Sequence, residues 1–587
     1  MKDQRNIEGK GSFTKALAAV GALILALVIT LTSCGSAAST TGDADQNAAV
    51  TETSTKTTYD AASKAEMFTD RDLSADYDES GAVNIELSGS SAKSDSNNGV
   101  NINGSTITIR KEGTYIVSGT LSDGQIIVEA DDTAKVQIVL KDASITSKTS
   151  AAIYVKSADK VFVTTAKGTD NTLANGGSFT ADGDTNVDGA VFAKDDITFN
   201  GSGTLTVNSP AGHGIVGKDD VKLAGGTITV NAANHGVQAN DSVRVAEADI
   251  TINADAKDGI HVADSSDAEE GTTSDSYFYM ADGSLKIAAG DDGIHADAEA
   301  KIEGGTIDVS KSYEGIEALA IKVSGGDIKV AATDDGINAA GGNSSSGSKT
   351  FGSDDWGGGK GGFSDGGTDG SIEISGGNIY ITAGGDGVDS NGSVAISGGY
   401  TVVCGPTQGD TSVLDYNSTG TITGGTFIGT GGAGMAQSFS SVENQGLIAV
   451  SVGNQSAGST VSLKDSSGKT IAEVTPDLDY AVVYVSTPDM AQGSTYTLEA
   501  GSYSESIELT ENAYSTLGGG MGGRGGMRGG QMNGGQMNGG HMNGDMNNGD
   551  APQGGMGGGP DGNGGGMKGP QGGGKGMRGP RDNNTQA

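Results

Sequence analysis

The chain has 587 residues, of which 101 are glycine, 8 proline, 11 phenylalanine and 1 tryptophan, and acidic residues outnumber basic ones 74 to 36. Glycine at this density without a collagen period, together with so few aromatics, argues against an ordinary mixed α/β enzyme. The formal net charge of −38 repels another polyanion and excludes nucleic acid as a partner.

Lys2, Arg5, Lys10 and Lys15 precede an apolar run over 16–31, a length that suits a signal segment and is short for a spanning helix. The run ends in Leu31, Thr32, Ser33 and Cys34, which resembles a bacterial lipobox. That resemblance implies cleavage before Cys34, lipidation of its sulfur, and a membrane-anchored chain on the extracellular face. Residues 1–33 are therefore read as a lipoprotein signal peptide, and 34–80, rich in Ser, Thr, Ala and Asp, as a flexible tether. Lipidation leaves Cys404 as the other cysteine, so no intrachain disulfide and no CxxC zinc site can form. The five histidines are read as too scattered for a histidine-rich metal site.

Over 81–175 irregular strands are predicted near 107–109, 115–117, 125–128 and 136–140, forming an N-terminal β region and the first turns of a stack. From 176 to 445 one phrase recurs: Gly-Gly, a short strand, an acid followed by Gly and a β-branched residue, another short strand, and Gly-Gly again. The strands at 228–230, 250–252, 285–287, 307–309, 328–330 and 379–381 alternate apolar and polar residues, as strands with one buried face do. The glycines after the acid or histidine are Gly189, Gly214, Gly236, Gly259, Gly293, Gly315, Gly336 and Gly387. Once insertions near 264–276 and 341–370 are set aside, they recur at about 22 residues, a solenoid period. The fold predicted is all-β: a right-handed parallel β-helix of about 22 residues per coil, with Ile, Val and Leu inward and Gly at tight corners. Residues 446–512 lose the repeat and are read as a small C-terminal β cap. Residues 513–587, Gly, Met and Asn with almost no branched apolar residue, are read as a disordered tail.

Stacking coils brings equivalent positions into columns. Before the marker glycines stand Asp188, His213, His235, Asp258, Asp292, Glu314, Asp335 and Asp386; two residues after come His261, His295, Glu317, Asn338 and Asp389. Neighbouring carboxylates one strand spacing apart repel by roughly 3–4 kcal/mol at an effective dielectric near 20, a cost that a cation between coils would offset. Calcium takes several oxygen ligands at about 2.3–2.6 Å, whereas magnesium retains its waters, so calcium is the expected ion. The ligand set expected is Asp258, Asp291, Asp292, Asp297, Glu314, Glu317, Asp334, Asp335, Asp386 and Asp389, with Asp264 adding an oxygen. The alternative is that each acid-Gly pair is simply a turn. His261 and His295 are read as turn residues or as supports behind the ligands.

These strand phrases, the Asp-Gly-Ile repeats and the segment YIVSGTL from Tyr115 together resemble the bacterial carbohydrate-binding-domain family of secreted calcium-binding β-helix lipoproteins, clostridial cellulose- and pectin-binding surface proteins among them. The likeness spans about 83–500. It implies a monomeric surface module that binds acidic or cellulosic polysaccharide, with calcium bridging to uronate carboxylates at Asp258, Asp292, Asp335 and Asp386. His213 and His235 depart from the acid at that position. Tyr313, Trp356, Tyr380 and Tyr400 are the candidate sugar platforms. A calcium-dependent lyase, with Lys257 or Lys311 as base, is the first alternative, and an adhesin or wall spacer stiffened by calcium is the second. Catalysis is not expected, because the acids are spread evenly and mark no single centre.

Overall fold

The computed structural model describes residues 61–263, 276–339, 370–406 and 411–517. The expectations for the signal segment, Cys34, Asp264, Trp356, most of both insertions and the tail lie outside them. The described chain is all-β apart from two short helices, and nearly all its strands join one large, mostly parallel sheet.

Three strands make each repeat, and each pairs in parallel with its equivalent in the next repeat. A first ladder runs through Gly189–Ala193, His213–Gly217, Val237–Ala239, Ile260–Val262, Ile294–Ile302, Ile316–Val323, Ile337–Ala339, Val388–Ser390 and Leu414–Tyr416. A second includes Asp196–Gly201, Asp220–Leu223, Ser242–Val245 and Tyr277–Met280. A third includes Thr204–Ser209, Thr227–Ala232, Asp249–Ala254, Ser284–Ala289 and Thr306–Ser312. The parallel pairing already begins at Val83–Gly89, which lies beside Gly113–Leu121. Two antiparallel hairpins, 83–94 and 100–109, stand at that end.

The alternation read from sequence places its apolar half inside. Ile250, Ile252, Leu285, Ile287, Ile307, Val309, Ile328 and Val330 are all buried in one continuous core. The two glycine classes do different work. The second glycine of a pair, such as Gly326 with φ 94°, sits where an L-residue is strained. The marker glycines show no such φ; at Gly315 a Cβ would collide with Val330 Cγ1 and the Gly336 carbonyl of the next repeat. From Gly214 to Gly387 those positions are glycine because the third ladder's β-branched side chains press against them, not because the corner needs a positive φ.

The far end turns antiparallel. Tyr480–Thr487 pairs with both Thr426–Gly431 and Gly446–Gln455, so this strand belongs to the large sheet and not to the small C-terminal unit. That unit is a separate four-stranded antiparallel sheet of Val461–Lys464, Thr470–Val474, Thr495–Ala500 and Tyr503–Glu508.

The stretch read as tether contains helix within its described residues. Ala61–Met67 and Asp70–Leu73 are helical, the second held by a capping box between Thr69 and Asp72. Phe68 packs with Tyr279, and the fully buried Asp72 reaches Lys160 at 2.8 Å and Lys222 at 3.7 Å on the second ladder. Burial opposes ionisation of Asp72, but the Lys160 ammonium and the Thr69 and Thr198 hydrogen bonds outweigh it and bring its pKa down to about 2.

Candidate functional site

The turn that enters the first ladder carries the acids, and the strand register stacks them. Pairing of Ile260 with Ile294, Ile294 with Ile316, Ile316 with Ile337 and Ile337 with Val388 sets Asp258, Asp292, Glu314, Asp335 and Asp386 in one column. His213 and His235 precede them in it. Asp188 does not join: Gly189, not Asp188, pairs with His213, so the sequence register was one residue off at that coil. The second column, on the strand itself, reads Gln238, His261, His295, Glu317, Asn338, Asp389 and Asp415.

A backbone link runs down the first column. The Asp292 N–H donates to Asp258 Oδ1 at 3.1 Å, Glu314 N–H to Asp292 Oδ1 at 3.1 Å, and Asp386 N–H to Asp335 Oδ1 at 2.6 Å; Ser412 N–H donates to Asp386 Oδ1. His213 and His235 do the same with Nδ1. One oxygen of each such aspartate thus holds the next repeat's backbone, and the other remains for a further partner.

What the second oxygen meets changes along the column. At Asp258 it meets His261 Nδ1 at 2.6 Å, while His235 Nδ1, which accepts the Asp258 N–H, lies 3.3 Å away. Burial would raise the Asp258 pKa, but these two rings hold it far below the usual carboxylate range. At Asp335, Asp386 and Asp389 three carboxylate oxygens lie within 4.8 Å of one another, and among the described residues no lysine or arginine forms an ion pair with them. Burial, then mutual repulsion, raises Asp335 to about 8; burial and the neighbouring acids raise Asp386 to about 7 and Asp389 to about 6. Asp258, Asp291 and Asp292 form a second close acidic group, in which burial pushes Asp292 up to about 7.

The residues around the 335/386/389 group fit a hard cation. All three donors are oxygens, as calcium prefers. Gly385 leaves open the space beside Asp334 Oδ1 and Asp335 Oδ1 that a Cβ would fill. Asn338, buried in the second column, gives its amide N–H to Glu314 Oε2 at 2.9 Å, and its Oδ1 has no hydrogen-bond partner. Glu314 is raised well above its usual value, by burial and then by Glu317 and Asp292.

Three sequence expectations need correction or addition. The histidines are not scattered: His213, His235, His261 and His295 stack ring on ring, with centroids 5.0, 4.2 and 5.0 Å apart. Their uneven spacing in the chain hides this, because the stack passes from one column to the other. Asp297 turns toward His295 Nε2, 3.2 Å away. Asp415 extends the second column and was missed, since Ser412 and Val413 replace the acid-Gly signal before it.

The aromatic candidates do not gather into one platform. Tyr313 is 43% exposed and lies against Asp334, whose hydrogen bond is the main cause of its raised hydroxyl pKa. Tyr380 instead packs against the C-terminal core, its hydroxyl 2.8 Å from Asp477 Oδ2 and 3.4 Å from the buried Cys404 Sγ. Tyr400 is the first residue of a third-ladder strand, whereas the acids follow the last residues of such strands. Of the candidate bases, Lys257 stands 3.9 Å from Asp291 Oδ2.

Comparison with known proteins gives a consistent signal. Residues 103–355 match the family described as carbohydrate-binding domain-containing protein. A curated protein of that description from Acetivibrio thermocellus is 37% identical over 156 residues, 26% of this chain and 54% of the relative. The chain thus spans about half the length of the curated relative it matches. A solved structure titled polysaccharide lyase-like protein from C. thermocellum, a gadolinium derivative, is 31% identical, with 43% of this chain and 95% of that one aligned at a TM-score of 0.36.

Proposed function

We propose that this protein is a surface polysaccharide-binding module whose acid columns hold hard divalent cations, calcium foremost, that in turn engage sugar carboxylates. In this reading the three ladders wind as a right-handed parallel β-helix, so that every turn presents the same edge. The observation that carries it is the Asp335, Asp386 and Asp389 group, three carboxylates within 4.8 Å with no ion-pairing lysine or arginine among the described residues. Asp334 and Asn338 stand beside them as further oxygen donors. Calcium, when bound, supplies coordination positions that uronate oxygens can fill. The match over 103–355 to a carbohydrate-binding family supports sugar as the partner. Tyr313, exposed beside the acids, is the aromatic face best placed to pack on a pyranose.

Attachment through Cys34 would place the module on the outer face of a membrane as a monomer, with its net negative charge balanced by the same cations that recruit acidic glycan. Among the described residues no helix is long and apolar enough to cross a membrane.

Co-sedimentation with polygalacturonate and with cellulose, in calcium and in chelator, tests this reading. Binding to the acidic polymer that disappears with chelator and with Asp386→Asn supports it; calcium-independent binding overturns the cation bridge. The lyase alternative draws on Lys257, the amine near the acids. It predicts unsaturated-product absorbance that is lost in Lys257→Ala, and our reading predicts no absorbance.

A further inference from the structure

One group in the columns is not an all-oxygen site. His295 is almost fully buried, with its side chain 4% exposed, and both of its ring nitrogens face carboxylates. On one edge Nε2 lies 3.2 Å from Asp297 Oδ1, two residues along the same strand. On the other, Nδ1 lies 2.5 Å from Glu317 Oε2 of the next repeat and 3.7 Å from Asp292 Oδ2 at the turn of its own repeat. Asp292, His295 and Glu317 each offer a ligand atom within 4.8 Å of the other two. The ring cannot turn freely, because His261 stacks against it at 5.0 Å and 17°.

This is the arrangement of a metal-binding histidine with its support. A histidine that ligates through one nitrogen commonly donates the other N–H to a carboxylate, which fixes the tautomer and the ring plane. Here Asp297 holds the Nε2 side, while Nδ1 shares a proton with Glu317 Oε2 and faces Asp292 Oδ2, and metal binding would release that proton to solvent. Bonds of about 2.0–2.2 Å to nitrogen and oxygen put neighbouring tetrahedral ligand atoms roughly 3.3 Å apart, and the distances of 2.5 and 3.7 Å from Nδ1 straddle that spacing. A nitrogen donor favours zinc, cobalt or nickel over calcium. The adjacent trio of His235, Asp258 and His261 is less suited: its two rings are near parallel, 19° apart at 4.2 Å, so their lone pairs run side by side and do not converge.

We propose that Asp292, His295 and Glu317 form a site for a borderline divalent cation of the zinc class, with Asp297 as positioning residue, distinct from the all-oxygen group at Asp335, Asp386 and Asp389. The columns would then sort ions by hardness, nitrogen-bearing at one coil and purely oxygen-bearing two coils on. The inference requires neither sugar binding nor calcium, so it stands or falls apart from the function proposed above.

Cobalt(II) is the probe, because its visible absorption reports ligand type and geometry. Full-length protein, stripped with chelator and returned to excess calcium, should take up cobalt with a saturable visible spectrum that zinc abolishes. Asp386→Asn should leave that spectrum intact. His295→Ala should remove it, and circular dichroism checks that this variant is folded. Asp297→Asn, which keeps all three ligands, should weaken cobalt binding by about 10–100-fold. Absence of a spectrum in calcium, a spectrum unchanged in folded His295→Ala, or undiminished affinity in Asp297→Asn would each overturn the assignment.

Discussion

Replacing Asp386 by Asn should stabilise the metal-free protein and abolish the stabilisation that cation gives the native one. The amide keeps an oxygen in the place of Oδ1, so the hydrogen bond from Ser412 N–H survives and the perturbation is one of charge. Two carboxylates 4.8 Å apart repel by about 3.5 kcal/mol at an effective dielectric of 20. Asp386 faces Asp335 and Asp389 within that distance. With folded pKa values of about 8, 7 and 6 for Asp335, Asp386 and Asp389, much of the group is ionised at pH 8 and almost none at pH 5. The sign follows from proton binding. Between about pH 4 and 8 the folded state holds more protons on these groups than the unfolded chain, so metal-free stability falls as pH rises, by up to about 1.4 kcal/mol per unit for each group. In chelator at pH 8 the variant should therefore be more stable than the native protein, by something on the order of 2–3 kcal/mol. In calcium at 100 times its dissociation constant the native protein gains about 2.7 kcal/mol that the variant lacks. Chemical denaturation followed by circular dichroism, at pH 5 and pH 8 with calcium or chelator, measures all eight values. A variant that is less stable in chelator at pH 8, or that keeps the full calcium gain, would refute the reasoning.

Gly315→Ala should destabilise by about 3 kcal/mol or more, since its Cβ would enter Val330 and a backbone carbonyl that cannot yield; a thermal midpoint equal to the native one would contradict the packing role. Asp72→Asn removes the fully buried carboxylate shared by Lys160 and Lys222, leaving them Asp196 at 3.6 Å and Asp220 at 3.7 Å, and should cost about 3 kcal/mol. Because the Asp72 pKa is depressed, its contribution is present above about pH 4 and fades as pH falls through 2, a loss of about 2.5 kcal/mol that an acid titration of the native protein, but not of the variant, should show.

The strands and the acid columns were legible because both depend on local rules repeated at one period. Alternation marks the buried half of each strand, and a marker glycine identifies equivalent positions even where an insertion lengthens the 22-residue step. What could not be read depends on contacts that cross the period. The imidazole stack runs diagonally between columns, so His213, His235, His261 and His295 share no single spacing. Asp297 looks like another oxygen donor in sequence, and its turn toward His295 is decided by the bulge between Ala296 and Glu299. The segment around Asp72 has the composition of a linker, yet the Thr69 and Asp72 pair is a short helix-start signal. Its burial comes from lysines on the second ladder, far away in the chain. Tyr380 reads as exposed from its place in an alternating strand, but the C-terminal unit covers it.

Binding to polygalacturonate as a function of free calcium is the most direct test of the central claim. The native protein should bind with a calcium midpoint, return to background in chelator, and lose that calcium dependence when Asp335, Asp386 and Asp389 are replaced together by Asn. Retention of the polymer by the folded triple variant, or by the native protein in thorough chelation, would contradict it.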